Sequence, residues 1–118
     1  KYLTELSDER IELSSLSPKL VADIYSGDNK MTYDLLSEGT KDTVSLAFRL
    51  AVIKFLFPEG GGLAVFDDPF TDMDAKRKEK ACALLNEFAK DNQIIFVTCD
   101  RSYKDALKGN FIDFAQVK

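Results

Sequence analysis

The 118 residues contain no histidine and only two cysteines, Cys82 and Cys99, which stand apart rather than in C-x-x-C spacing. That inventory argues against a structural zinc site, which draws its ligands from Cys and His. Two separate thiols read most simply as free cysteines of a reducing compartment. No apolar run nears the roughly 20 residues of a membrane-spanning helix. No secretory leader is visible either. No charge sign dominates: 16 basic and 20 acidic residues, mixed along the chain, leave a net charge of −4. That balance neither demands a nucleic-acid partner nor excludes a local basic patch. Internal repeats and low-complexity tracts are absent. So is the G-x-x-x-x-G-K-[ST] loop that cradles nucleotide phosphates. The chain opens on Lys1 rather than Met and is expected to be a piece of a longer protein.

An apolar content of 45% is enough for a core in one domain or a part of one. Residues 1–7 fit the last turns of a helix. Stretches 11–16, 20–25 and 31–35 alternate apolar and polar residues and are expected to be antiparallel strands. Ser17-Pro18 and Ser26-Gly27-Asp28-Asn29 separate them as turns. Residues 40–57 are apolar almost all round, which predicts a helix buried on most sides. Pro58 and the Gly60-Gly61-Gly62 run end it. Residues 63–66 and 94–98 read as strands buried on both faces. Between them a helix is expected to start at the N-cap Asp74 and run to about residue 90. Its apolar stripe is Ala81, Leu84, Leu85, Phe88 and Ala89. A short helix over 101–108, stopped by Gly109, and a strand over 111–115 complete the pattern. Alternating helices and strands predict an α/β fold with a parallel sheet and helical crossovers, behind a short antiparallel region. In such sheets ligands bind beyond the carboxyl ends of the strands. Asp67, Asp68 and Asp100 all fall there.

Two carboxylates directly after a buried strand repel each other and are costly to desolvate. A hydrated Mg²⁺ relieves that cost and is commonly held by one or two carboxylates plus substrate phosphates. Asp67 is thus a candidate ligand and Asp68 a candidate base for a hydrolytic water. The plainer alternative is a pair of carboxylates capping the turn begun by Pro69. A third reading takes Asp72-Met73-Asp74 as a D-x-D metal motif. That motif belongs at the strand tip itself, and here it lies past the tip, at a helix head. Ser37-Glu38-Gly39-Thr40 stands where the long helix begins. Free N–H groups, a hydroxyl and a glycine at a helix N-terminus suit a phosphate. Ordinary capping explains the same residues. Lys76, Arg77, Lys78 and Lys80 suit a solvated helix face better than a DNA patch. Arg49, inside an apolar helix, calls for an acidic neighbour or a role in dimer coupling. Tyr2, Phe48 and Phe88 suit packing better than base stacking.

The order of these pieces narrows the choice. LSEGTKDTVSLAFRLAV, then the glycine run, LAVFDDPFTDMD and IIFVTCD, resembles the C-terminal lobe of the SMC-like branch of ABC-type ATPase heads, which includes RecF-, RecN- and SbcC-like coiled-coil ATPases. On this resemblance residues 1–118 form a partial head. Residues 1–7 end a helix or coiled coil, and 36–57 carry the signature motif and its helix. Residues 63–74 carry Walker B and the D-loop, and 94–100 the switch strand. The resemblance implies that Asp67 holds Mg²⁺ through water and that Asp68 orients or deprotonates the attacking water. It implies that Ser37, Glu38 and Gly39, with Asp74 of the D-loop, serve ATP bound to a second head. The implied partners are an N-terminal lobe with the Walker A loop, a second head, DNA and a nuclease subunit, in the cytoplasm or on the nucleoid and without a membrane.

Two departures qualify the likeness. Glu38 replaces the commoner glycine of the signature. Asp100 stands where the family has a histidine able to donate to the γ-phosphate, and an ionised carboxylate cannot donate. Either hydrolysis is slow or the switch role has moved to Thr98 or another group. Two functions therefore remain open: an ATP-hydrolysing head, favoured by Asp67-Asp68, and an ATP-gated dimerisation module, favoured by Asp100.

Overall fold

The computed structural model describes residues 1–7, 12–16 and 22–116. The expected turn at Ser17-Pro18 and the outer residues of the first two expected strands (Ile11, Leu20 and Val21) lie outside the described residues. Helix α1 spans Tyr2–Leu6. Strands β1 (Glu12–Leu16), β2 (Ala22–Ser26) and β3 (Asn29–Met31) form an antiparallel sheet in chain order. The β2–β3 turn needs a residue at positive φ, and Gly27 supplies it at 59°.

The expected strand at 31–35 is corrected. β3 ends at Met31, and Tyr33–Leu35 forms one 3₁₀ turn. The apolar alternation there has no core to face, since Leu35 is 79% exposed. The turn instead buries Leu36 and presents Ser37 as the cap of the next helix.

Helix α2 runs over Glu38–Leu56. Its first half is buried through Thr43, Val44, Leu46, Ala47 and Leu50. The far end, with Phe55 and Leu56, is exposed, so burial on most sides holds only for that first half. Gly60 and Gly61, at φ 92° and 83°, then turn the chain back. The Gly61 N–H donates to the Asp91 carbonyl at 2.6 Å, and the Gly62 N–H donates to Asn92 Oδ1 at 3.0 Å. A side chain at Gly62 would collide with Ile53. This knot places the entrances of β4 (Leu63–Asp67) and β5 (Gln93–Val97) side by side.

The two strands pair in parallel, in register from Leu63 opposite Gln93 to Asp67 opposite Val97. Helix α3 (Ala75–Phe88) is the crossover between them. Its N-cap is Asp74, whose carboxylate accepts the Arg77 N–H at 3.0 Å. Ala81, Cys82, Leu85 and Phe88 of α3 enter the core, while Ala89 is exposed. Helix α1 packs on α2 and α3, and Tyr2 meets Phe88 edge-on with centroids 6.2 Å apart.

The strands are not buried on both faces. Phe66 and Ala64 point into the core, but Leu63 (53% exposed), Val65 (56%), Ile95 (44%) and Val97 (37%) line an open apolar face. Two further expectations are corrected. Helix α4 covers only Tyr103–Ala106, so Gly109 is not its stop. The residues expected as a last strand form a loop and a 3₁₀ turn over Phe114–Gln116. Asp113 causes that turn: its carboxylate accepts the Ala115 N–H at 3.0 Å, and its carbonyl accepts the Gln116 N–H at 2.9 Å. The described residues thus form two separate sheets, a parallel pair and an antiparallel three-stranded sheet.

Candidate functional site

The parallel register puts the end of β4 and the end of β5 at one edge of the molecule. Asp67 closes β4 and is exposed there. Asp68 follows in the left-handed region at φ 40°, where a short polar side chain is among the few tolerated. Its N–H donates to the Val97 carbonyl at 2.9 Å. Its carboxylate receives Thr98 Oγ1 at 2.5 Å on Oδ1 and the Cys99 thiol at 3.5 Å on Oδ2. Beneath the following turn, Phe70 is buried against Phe96 and Tyr103, with centroids 5.4 and 6.0 Å away. Aromatic packing therefore sets the height of the Asp68-Pro69 loop above the sheet.

A cleft of about 430 Å³ opens between α2 and this loop. It is lined by Asp42, Ser45 and Arg49 of α2, by Asp67 at the end of β4 and by Asp68 and Asp72 of the loop, among others. Burial pushes the Asp42 carboxyl up from its ordinary value, and its Oδ2 accepts the Asp72 N–H at 3.4 Å. Arg49 has no ion-pair partner among the described residues, and its guanidinium lies 5.9 Å from the Phe66 ring centroid. No three His, Cys, Asp or Glu side chains among the described residues converge to hold a metal. A Mg²⁺ bound through water by one carboxylate and otherwise by phosphates requires no such group, so Asp67 at the cleft fits that donor set.

The head of α2 is tied to the same loop. Ser37 caps the helix, accepting the Thr40 N–H at 3.3 Å, and its hydroxyl also bonds Thr40 Oγ1 at 2.8 Å. Glu38 is exposed and pairs with Lys41 at 2.7 Å, which holds the Lys41 amine above its usual range. Gly39 is buried, and a Cβ there would run into the Asp72 carbonyl. Arg77 reaches across from α3, donating to Thr40 Oγ1 at 3.3 Å while pairing with Asp74 at 3.4 Å. The Arg77 N–H holds the Asp74 carboxyl below its usual range. Gly39→Ala is expected to force the two segments apart and to cost about 1–3 kcal/mol by overpacking. Urea unfolding of the variant measures this, and an unchanged midpoint would contradict it.

No protein-family model matches the sequence. The chain is 30% identical over 109 residues to the DNA double-strand break repair Rad50 ATPase of Sulfurisphaera tokodaii, covering 92% of this chain and 12% of that protein. It superposes with a TM-score of 0.69 and 21% identity on a chain solved in work on ATP-driven dimerisation and DNA-stimulated activation of SMC ATPases, over 91% of this chain and 68% of that one. The Smc head domain with a coiled coil and joint from Pyrococcus yayanosii gives a TM-score of 0.68 at 20% identity, over 91% of this chain and 22% of that one. The chain shares the fold of these SMC head domains and is similar in sequence to the Rad50 ATPase. It spans only a small part of the Rad50 protein it matches.

In this fold the expected residues fall into two groups. Asp67 and Asp68 line the cleft, whereas Ser37 is not among its lining residues and is exposed beyond it, as is Glu38. Asp100 does not face Asp68. Its carboxylate turns back to accept the Ser102 N–H at 2.9 Å, which holds its pKa below the usual range. The side chains that reach Asp68 are those of Thr98 and Cys99. Sequence reasoning named Thr98 as a fallback and passed over Cys99. The signal was available, because both directly follow a strand that runs parallel to the one ending in Asp67. The contacts of Asp42 with Asp72 and of Thr40 with Arg77 were missed as well, since these partners lie 30 or more residues apart in the chain.

Proposed function

We propose that the lobe belongs to an ATP-hydrolysing head that dimerises around ATP in DNA repair or chromosome maintenance. In this reading Asp67 carries Mg²⁺ through water, and Asp68 orients or deprotonates the attacking water. Bound Mg²⁺ supplies charge neutralisation on the phosphoryl group. Ser37, Glu38 and Gly39, with Asp74 stiffening the D-loop, serve the nucleotide held by the opposite head. The observation that carries the split is positional: the strand-tip carboxylates line one cleft, and the head of α2 presents Ser37 outside it. DNA and a nuclease subunit are partners that this reading allows, in the cytoplasm or on the nucleoid.

An N-terminal lobe bearing the Walker A loop completes the site. Two features support this. Four carboxylates and a single guanidinium among the cleft's lining side chains repel a triphosphate, so the phosphate grip has to come from elsewhere. The apolar face of Leu63, Val65, Ile95 and Val97 also calls for a covering element. Residues 1–118 alone are therefore expected to show no ATP binding in a calorimetric titration at micromolar concentrations, and a micromolar affinity would overturn the reading.

One observation favours the alternative of an ATP-gated dimer with little hydrolysis. Asp100, held in its ionised form by the Ser102 N–H, cannot donate to a γ-phosphate, and the chain contains no histidine. A single-turnover assay on the complete head separates the two. Hydrolysis within a catalytic cycle supports the first, and persistent ATP-bound dimers support the second.

A further inference from the structure

Asp68 is fixed by a set of bonds that its own backbone conformation does not provide. At φ 40° it sits in a sparsely populated region and persists there only if its neighbours hold it. The tip of β5 supplies three hydrogen-bonding partners in a row: the Val97 carbonyl for the Asp68 N–H, Thr98 Oγ1 for Oδ1 and the Cys99 thiol for Oδ2. Thr71 Oγ1 adds a fourth from the other side by donating to the Asp68 carbonyl at 2.9 Å.

Thr98 is the element of this set with a defined direction. A hydroxyl has one proton to give and lone pairs to receive. The Asp100 N–H donates to Thr98 Oγ1 at 3.0 Å. The Thr98 proton is thereby left for Asp68 Oδ1. The β-branched side chain also restricts χ1, so the hydroxyl stays where the strand places it. A thiol, by contrast, is a weak donor and is readily displaced. The two carboxylate oxygens are therefore unequal.

We propose that Thr98 is a positioning residue for Asp68: it holds Oδ1 and leaves Oδ2, whose hydrogen-bond partner among the described residues is the Cys99 thiol, as the oxygen that receives the hydrolytic water. The Asp100 main chain, rather than its side chain, is the third member of this relay. The proposal rests on the reading of Asp68 as the residue that orients or deprotonates the water. It differs from a transfer of the switch role to Thr98, because Thr98 acts on the carboxylate and not on the phosphate.

The test uses the complete head and its ATP turnover. Thr98→Val removes the hydroxyl at nearly constant shape and is expected to lower kcat about 10- to 100-fold through misplacement of Asp68. KM for ATP and ATP-dependent dimerisation should stay within about twofold, since the lost contact matters in the chemical step. Thr98→Ser keeps the donor and is expected to recover kcat to within about threefold of the parent. Thr98→Val placed on Asp68→Asn should cause no further loss, because the two act as a unit. Thr98→Ala repeats the test if valine disturbs the strand tip. A parental kcat in Thr98→Val and Thr98→Ala, with Asp68→Asn inactive, would overturn the proposal and leave the role of Asp68 standing. So would equal losses in the Ser and Val variants. A parental rate in Asp68→Asn would instead overturn the reading of Asp68 itself, and the proposal with it.

Discussion

Asp68→Asn in the complete head is expected to lower the single-turnover rate of ATP hydrolysis at least about 100-fold, the usual scale for removing a positioned acid–base group. The substitution is chosen for what it leaves intact. Asparagine tolerates the left-handed backbone as aspartate does, so φ 40° at this position adds no strain. Its side-chain oxygen can still accept the Thr98 hydroxyl. What it loses is the charge and the capacity to take a proton from water. Alanine would be a poorer probe, because it would also strain the backbone. ATP-dependent dimerisation is expected to persist in the Asn variant, since the surfaces proposed to close around nucleotide are unchanged. A variant that hydrolyses ATP at the parental rate would remove Asp68 from the mechanism and favour the ATP-gated dimer.

Phe70→Ala is expected to be the most destabilising single change near the site. Phe70 is 1% exposed and packs against Phe96 and Tyr103, whose own rings stand 5.1 Å apart. Emptying that position should cost about 3–5 kcal/mol, the transfer loss plus the cavity left behind. The same ring supports the loop that carries Asp68, so the variant should also lose turnover under conditions where it remains folded. Urea unfolding monitored by circular dichroism reads the first effect and a single-turnover assay the second. A loss below about 1 kcal/mol would mean that the loop closes over the gap, and that the aromatic cluster does not set its position.

What the chain made legible was the order of its chemical groups and the caps. Ser37 and Asp74 head their helices as their side chains dictate, and the glycine run turns the chain where expected. The strand-tip placement of Asp67 and Asp68 followed from the parallel arrangement alone. Burial was less legible. Leu63, Val65, Ile95 and Val97 look like the second buried face of a strand, yet among the described residues nothing covers them. An apolar run records that a face is to be covered, without saying by which part of the protein. Local capping was also missed where it competed with alternation. Asp113 satisfies the amide two residues on, and the apolar residues around it form a turn rather than a strand. The direction of Asp100 was illegible for the same reason: its carboxylate is taken by the Ser102 N–H, and the neighbouring Thr98 and Cys99 face Asp68 instead.

The central claim is that this lobe contributes to two nucleotide sites, its own through Asp68 and its partner's through Ser37. Mixing two inactive heads tests it directly. One carries Asp68→Asn and the other Ser37→Arg, each as the complete head. In a dimer that shares its sites, a mixed pair places both lesions in one site and leaves the other whole. Equal mixing should then restore about a quarter of the parental rate, since half of randomly formed symmetric dimers are mixed and each holds one intact site. If the mixture stays as inactive as its components, Ser37 and Asp68 serve the same site, and the lobe does not divide its work between two nucleotides.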